Sequence, residues 1–229
     1  MKPTPTPQVP LSRTIRGVTA GYTDGIVRLI GESYGIYTIQ TAWSEYNVRT
    51  RGPFEYGDPH SELFFSWLFH RWSPSRAKRN YVNDSSLYGV SPTRAYLERQ
   101  CASLDPILRR YLETCLVTSP AFYEIHNCVP NVGFRARDLI TGDEREVCEE
   151  LASTTLVDGD IIFAHLISID EATVLEAISP VSLPPRARGR LTRMYRSLQA
   201  SVPVARQELR ELYFSLASPR QCGRAVAAR

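Results

Sequence analysis

Ser33 has the spacing of a catalytic serine, because residues 31–35 read Gly-Glu-Ser-Tyr-Gly and match the G-x-S-x-G elbow of serine hydrolases. That elbow places its serine on a sharp turn between a strand and a helix, with an oxyanion-binding loop upstream. Too few residues precede Ser33 to form the upstream strands, and the candidate bases His126 and His165 lie in predicted strands. We interpret the spacing as a coincidence within a helix and keep a serine hydrolase at Ser33 as the second alternative.

Carboxylates in the middle of the chain have the chemistry to bind a divalent metal or to transfer protons. Asp158 and Asp160 flank Gly159, but an Asp-Gly turn before a strand uses these residues for its backbone geometry alone. A second group follows a predicted strand and is typical of a solvated face: Glu144, Glu146, Glu149 and Glu150. The sequence contains no P-loop, dinucleotide fingerprint or H-E-x-x-H motif. We therefore predict no catalytic residue, no metal site and no cofactor, which favours a protein that is not an enzyme.

Arginines near the C-terminus form the candidate binding surface. Their planar guanidinium groups bind phosphates and carboxylates through paired hydrogen bonds. Five of them fall at the start of a predicted helix over residues 186–198: Arg186, Arg188, Arg190, Arg193 and Arg196. The surface they form is the predicted contact with a partner.

Charge is segregated along the chain. Residues 122–185 contain 12 acidic residues and three arginines, whereas residues 186–229 contain ten arginines and two glutamates. A nucleic-acid reader needs a basic face, because binding displaces counterions from phosphates. The acidic segment is therefore poorly suited to bind RNA or DNA, and the basic tail is the better candidate. Between this binding and packing of the tail against its own acidic neighbour, we favour the packing, which the opposite charges assist.

The elements that position these residues predict an α+β fold. Apolar residues spaced three or four apart after Asp24 predict one helix to about Tyr46, weakened by Gly31 and Gly35. Capping residues begin three further helices, at Ser61, Ser91 and Asp105. Alternating apolar residues between tight turns then predict a small antiparallel β domain of five or six strands, barrel-like or half-open. Two amphipathic helices follow Pro184-Pro185.

These patterns divide the chain into four predicted segments. They are a flexible Pro-rich leader over 1–20, a helical region over 21–118, an acidic β domain over 119–185 and an Arg-rich helical tail over 186–229. The five cysteines form no C-x-x-C pair, which indicates reduced thiols. Because the sequence has neither a signal peptide nor a membrane-spanning apolar run, we expect a cytoplasmic protein without membrane contact.

Several blocks of the sequence, taken in order, resemble a group of uncharacterised bacterial proteins that often carry a SEC-C zinc motif. The similarity spans roughly residues 25–200, and its most specific piece is the R-D-L-x-T-G turn at residues 137–142. The blocks are Thr-Ala-Trp-Ser-Glu-Tyr at 41–46, Phe-Phe-Ser-Trp-Leu-Phe-His-Arg-Trp-Ser-Pro at 64–74, Ala-Phe-Tyr-Glu-Ile at 121–125, Arg-Asp-Leu-Ile-Thr-Gly-Asp at 137–143 and Gly-Asp-Ile-Ile-Phe-Ala at 159–164. The resemblance implies the same layout of elements, but no established activity.

The SEC-C cysteine cluster itself is absent from this sequence, and Cys222 stands alone near the C-terminus. The zinc site of that motif is therefore not carried over. Together these observations predict a cytoplasmic, non-enzymatic binding or adaptor protein with a protein partner. The first alternative is nucleic-acid binding, to RNA or DNA, through the Arg-rich helix over 186–198.

Overall fold

The computed structural model describes residues 8–46, 52–100, 102–201, 206–216 and 225–226. The chain forms two compact units. Residues Arg13–Val117 make up one, which we refer to as the helical unit. Thr118–Arg229 together with Met1–Ser12 make up the other, the barrel unit. The predicted tail and the predicted β domain thus belong to one unit rather than two.

The helical unit contains α-helices joined by short loops. Helix α1 spans Gln8–Thr19 and crosses the division between the units. The remaining helices are α2 (Tyr22–Leu29), α3 (Thr38–Tyr46), α4 (Ser61–His70), α5 (Pro92–Gln100) and α6 (Pro106–Val117). The starts predicted for α4, α5 and α6 are confirmed, since each helix begins at or next to its predicted cap.

Helix α1 differs from the flexible leader predicted over residues 1–20. Residues 1–7 lie outside the described residues, but the chain is helical from Gln8. Pro10 is compatible with this helix because the first turn has no intrahelical partner for its missing N–H. Ile15 is fully buried, so apolar burial stabilises the helix in spite of the prolines.

The helix predicted from Asp24 to Tyr46 is interrupted. A π-helical turn, Ile30–Tyr34, follows α2, and Gly35 then adopts φ 102° and ψ 162°. This backbone region is accessible essentially only to glycine. Gly35 thus ends the first part of the helix, and the chain resumes helical geometry at Thr38.

Aromatic side chains fill the interior of the helical unit. The Trp43 ring packs edge-on against Phe64 with centroids 4.9 Å apart, and Tyr46 packs against the same Phe64 ring at 5.4 Å. Helix α4 therefore inserts its aromatic residues among those of α3, which confirms that its apolar surface is buried rather than exposed to solvent.

Five strands of the barrel unit form a closed barrel. They are β1 (Ala121–Val129), β2 (Gly133–Asp138), β3 (Glu144–Val147), β4 (Ile161–Ile169) and β5 (Ala172–Ile178). Neighbours follow the order β1-β2-β3-β5-β4, and β4 pairs back to β1. The α+β class with N-terminal helices and a barrel-like β domain is confirmed.

The sheet is mixed rather than purely antiparallel. Four of its pairings are antiparallel, while β3 and β5 pair in parallel at Val147 and Thr173. The reason is topological: strand direction must return to itself around a closed ring, and an odd number of antiparallel pairings cannot achieve this. A closed five-stranded barrel therefore contains at least one parallel pair.

Apolar side chains pack on both the inner and the outer surface of the barrel wall. Its interior holds Ile125, Phe134, Ile162 and Leu166 among other apolar side chains. Outside, helices α7 (Arg188–Ser201) and α8 (Arg206–Leu216) cover β1 and β4. The ring of Tyr213 on α8 stacks on Phe163 of β4 at 5.1 Å. Within the described ranges, no helix is both long and apolar enough to span a bilayer.

Tyr123 in the barrel interior gives the unit a pH dependence. Burial raises the pKa of its phenol from 10.0 to about 12, against the opposing effect of Arg145. The unfolded chain releases this proton near pH 10, so the free energy of unfolding falls between about pH 10 and pH 12, by about 2 kcal/mol. Urea unfolding at about pH 9 and about pH 11.5 measures the loss, and Tyr123→Phe should lose less stability over the same interval. An identical loss in both proteins would contradict the prediction.

Candidate functional site

Of the five predicted arginines, Arg186 lies in the turn Pro185–Ala187 that leads into α7, and the other four lie in α7 itself. Leu191 is buried and lines the contact between α7 and the barrel with Phe122 and Leu139. With 3.6 residues per turn, the position of Leu191 fixes which arginines face the barrel and which face away. The helix therefore sorts the five arginines into two groups.

Arg188 belongs to the barrel-facing group. It is about 60° from Leu191 on the helix, and its Nη1 donates a hydrogen bond to Oε1 of Glu124 at 3.2 Å. Glu124 lies on the outward face of β1 and is only 5% exposed. This ion pair confirms one direct contact of the basic tail with the acidic β domain.

The Glu124 carboxylate also has a histidine beside it. Nε2 of His126 is 3.3 Å from Oε2, within ion-pair distance, although the two atoms do not have hydrogen-bond geometry. Glu124 thus has one hydrogen-bonded oxygen and one that lacks a hydrogen bond among the described residues. A buried carboxylate in this state depends strongly on its single arginine.

The other four arginines are solvent-exposed, and we refer to Arg186, Arg190, Arg193 and Arg196 as the arginine stripe. The last three fall within about 120° of the helix circumference, on the side opposite Leu191. Arg186, Arg193 and Arg196 form no ion pair with any side chain in the described part of the chain. Arg188 differs from these four in its ion pair with Glu124, although its side chain is 48% exposed, and the binding surface stays a prediction.

The outer face of β2 and β3 carries charges of both signs, which form ion pairs with one another. Nη2 of Arg135 is 2.6 Å from Oε1 of Glu146, and its Nη1 is 3.6 Å from Glu144. Five-stranded barrels of the OB type bind oligonucleotides across this face, and single-strand readers stack bases on aromatic rings. The outward residues of β2 and β3, Arg135, Arg137, Glu144 and Glu146, include no aromatic ring. Among the described residues, this face therefore offers no aromatic ring on which a base could stack.

The carboxylates of Asp158 and Asp160 accept hydrogen bonds from backbone N–H groups of the turn and of β1. Oδ1 of Asp158 accepts the Cys128 N–H at 2.8 Å, and Oδ2 of Asp160 accepts the Val157 N–H at 3.3 Å. Gly159 between them has φ 88°. Each residue thus does what a turn requires, as the sequence predicted.

Ser33 is not on a nucleophile elbow. It lies in the π-helical turn after α2, with a helix rather than a strand before it. Its Oγ accepts a 2.6 Å hydrogen bond from Nη1 of Arg99, and the residue is buried. An elbow needs an exposed hydroxyl beside a base, so the hydrolase interpretation of this motif is wrong.

An open cleft of about 360 Å³ lies between α5 and α6 in the helical unit. Its charged lining consists of Arg94, Glu98, Arg109 and Glu113, two of each sign. Nε of Arg109 is 3.9 Å from Glu113. The opposite charges compensate one another, and the lining contains no nucleophilic side chain.

Glu124 is the residue of this candidate site that the sequence analysis missed. Its neighbours in β1 are apolar or aromatic, and it belongs to the alternating run Phe-Tyr-Glu-Ile-His at residues 122–126. A lone acid in a strongly apolar strand is a signal of a buried partner, because carboxylates are rarely buried unless paired. The distant Arg188 that supplies this partner is not indicated by the local sequence.

No protein-family model matches the chain, and no curated protein or solved structure matches it. The resemblance to SEC-C-associated proteins stays a prediction, and functional argument rests on the residues of the chain itself.

Proposed function

We propose that the protein is a cytoplasmic, non-enzymatic binding or adaptor protein whose arginine stripe contacts an acidic surface of a protein partner. One observation carries this proposal. Helix α7 uses Arg188 to fix itself to the barrel through Glu124, while its other arginines stand exposed on the opposite side. A helix that is anchored by one face presents its second face with little loss of conformational entropy on binding.

The chemistry around the stripe supports a protein as the partner. Arginine is a residue type that protein interfaces contain more often than the remaining surface. The barrel that carries the stripe is acidic, with 12 acids over residues 122–185, and repels a long polyanion more than a compact acidic patch.

Binding of RNA or DNA by the same helix is the alternative. Arg190, Arg193 and Arg196 are three residues apart, which brings like charges close together on one helix face. Phosphates of a nucleic acid would relieve this repulsion and bind the planar guanidinium groups.

Reversing the stripe tests the proposal. The variant Arg186→Glu/Arg193→Glu/Arg196→Glu is compared with wild type by affinity purification of the full-length chain from its native host, with and without nuclease. A matched control reverses three exposed arginines elsewhere, Arg13→Glu/Arg28→Glu/Arg94→Glu. We expect a nuclease-resistant protein partner that the stripe variant loses and the control retains. With the purified partner, affinity should fall about tenfold or more.

The outcomes separate the two functions. A partner retained by the stripe variant at unchanged affinity would overturn the proposal. Complexes that nuclease removes, with affinity falling steeply as salt rises, would favour the nucleic-acid alternative. Thermal unfolding of each variant shows whether a lost interaction reflects the surface or the fold.

A further inference from the structure

A short basic loop in the helical unit is held in one conformation by Asn80. The Ser75 N–H donates to Oδ1 of Asn80 at 2.7 Å, and the Asn80 N–H donates back to the Ser75 carbonyl at 3.2 Å. Inside this ring the Arg79 N–H bonds to the Arg76 carbonyl at 3.0 Å, and Arg79 has φ 56°. Non-glycine residues seldom adopt this φ, so the loop maintains an unusual backbone that directs its side chains outward.

The loop has three exposed cationic side chains, Arg76, Lys78 and Arg79. Contacts with neighbouring residues fix the position of the first two. The Arg76 guanidinium lies over the Tyr88 ring at 4.9 Å, and Nζ of Lys78 is 2.7 Å from Oε2 of Glu45. Arg79 is exposed and forms no ion pair with a described side chain. Glu45 is thus neutralised, and the loop retains a net positive charge.

Exposed aromatic rings lie next to this loop. Tyr81 and Tyr37 are each 69% exposed, and Ile36 is 80% exposed. The Tyr81 ring packs against Gly35, where an added Cβ would be 3.6 Å from it, and Tyr37 follows Gly35 by two residues. Tyr81 thus lies beside the segment that contains Tyr37, although the two residues are 44 apart in the sequence.

Polar contacts hold the segment next to these rings. Nδ2 of Asn83 donates to the Glu32 carbonyl at 3.1 Å, and the Asp84 N–H donates to the Ser33 carbonyl at 3.1 Å. Arg99 bonds to the Ser33 hydroxyl and pairs with Asp84 at 3.4 Å. The π-helical turn is therefore held both by residues 83–84 and by Arg99 of α5. Such turns are frequent at functional sites.

We propose that this surface binds single-stranded nucleic acid, with bases stacking on Tyr37 and Tyr81 and phosphates contacting Arg76 and Arg79. Single-strand binding combines exposed aromatic rings with cations that follow the backbone, and this loop supplies both on a rigid support. The nearby acids Glu45 and Asp84 are each paired with a cation. The proposal concerns a second surface, in the other unit, and does not depend on the arginine stripe.

Fluorescence anisotropy of the full-length chain with labelled 12-nucleotide oligo(U) RNA and oligo(dT) DNA tests the proposal. Tyr37→Ala/Tyr81→Ala should lower affinity about tenfold or more, because each lost stack has an effect of that order. Arg76→Gln/Arg79→Gln should reduce the slope of log affinity against log salt by about 1.4, the value for two phosphates on a single strand. Tyr37→Trp should retain binding, since it keeps a stacking ring.

Matched controls are available in the same unit. Tyr56 is 90% exposed, so Tyr56→Ala removes an equally accessible ring elsewhere, and Arg28→Gln/Arg94→Gln removes two exposed arginines. Tyr37→Ala alone serves if the Tyr81 change lowers the melting temperature. The proposal fails if wild type does not bind either oligonucleotide, or if Tyr37→Ala binds as tightly as Tyr56→Ala.

Variants of the arginine stripe separate this surface from the proposed function. If stripe reversal abolishes oligonucleotide binding and the tyrosine changes do not, the site lies on α7 and the present inference is wrong. Tighter binding of oligo(U) than of oligo(dT) would support recognition of the 2′-hydroxyl, and equal binding would support stacking and phosphate contacts alone.

Discussion

Replacing Gly133 with alanine is expected to destabilise the barrel unit by about 3 kcal/mol or more. Gly133 begins β2 with φ 151°, and an added Cβ would lie 2.1 Å from the carbonyl oxygen of Val147. This oxygen belongs to the backbone of β3, so it cannot move without disturbing the pairing of Phe134 with Val147. The methyl group must therefore separate β2 from β3 next to the pair formed by Phe134 and Val147.

Urea unfolding followed by circular dichroism measures the loss, and hydrogen exchange over residues 121–178 locates it. Gly189→Ala is the matched control, because Gly189 lies in α7 of the same unit with nothing within 4 Å of an added Cβ. Alanine favours a helix, so this control should be neutral or more stable by up to about 1 kcal/mol. A Gly133→Ala protein as stable as the control would show that the close approach of β2 and β3 is not required.

Changing Arg188 to glutamate is expected to destabilise the protein by about 1–3 kcal/mol, because Glu124 is buried although the Arg188 side chain is half-exposed, whereas Arg186→Glu should have little effect. The substitution removes the only hydrogen-bond donor that the described residues offer to the buried Glu124 carboxylate, and it places a second negative charge nearby. Arg186 is exposed in the preceding turn and has no such partner. Two neighbouring arginines of the same sequence motif thus differ in role.

A double variant distinguishes charge from packing. Glu124→Gln in the Arg188→Glu background removes the repulsion, so much of the lost stability should return, as measured by urea unfolding. Equal destabilisation by Arg186→Glu and Arg188→Glu would argue that Arg188 has no special contact. Partner binding should follow the opposite order, since Arg186 belongs to the stripe and Arg188 does not.

Local sequence predicted most of the elements because their signals are local. The alternation over residues 121–129 and the turn at Asn131 depend only on side-chain type and backbone preference, and β1 and its hairpin follow from them. The sequence does not predict the break at Gly35, although it indicates that glycine there weakens the helix. Whether a helix continues through glycine depends on distant contacts, here Asn83 with Glu32 and Arg99 with Ser33.

The candidate site was predicted in composition but not in geometry. Five arginines were identified from their number and spacing, yet their division into one anchor and four exposed residues required the position of Leu191 against the barrel. The sequence spacing predicts Tyr37 on the apolar face of a helix, and its 69% exposure shows that this prediction is wrong. Tyr81 is a single tyrosine without a sequence signal, and only the fold shows that it lies beside Gly35.

The order in which the strands pair has a consequence for how the barrel unit folds. Strands β1, β2 and β3 form a meander and β4 with β5 a hairpin, so each set can form from neighbouring residues alone. Joining them requires Ala121 to meet Ala164 and Val147 to meet Thr173, which are distant in the chain. The entropy cost of closing these loops comes late, and we expect the two pieces to assemble first and their joining to limit the folding rate.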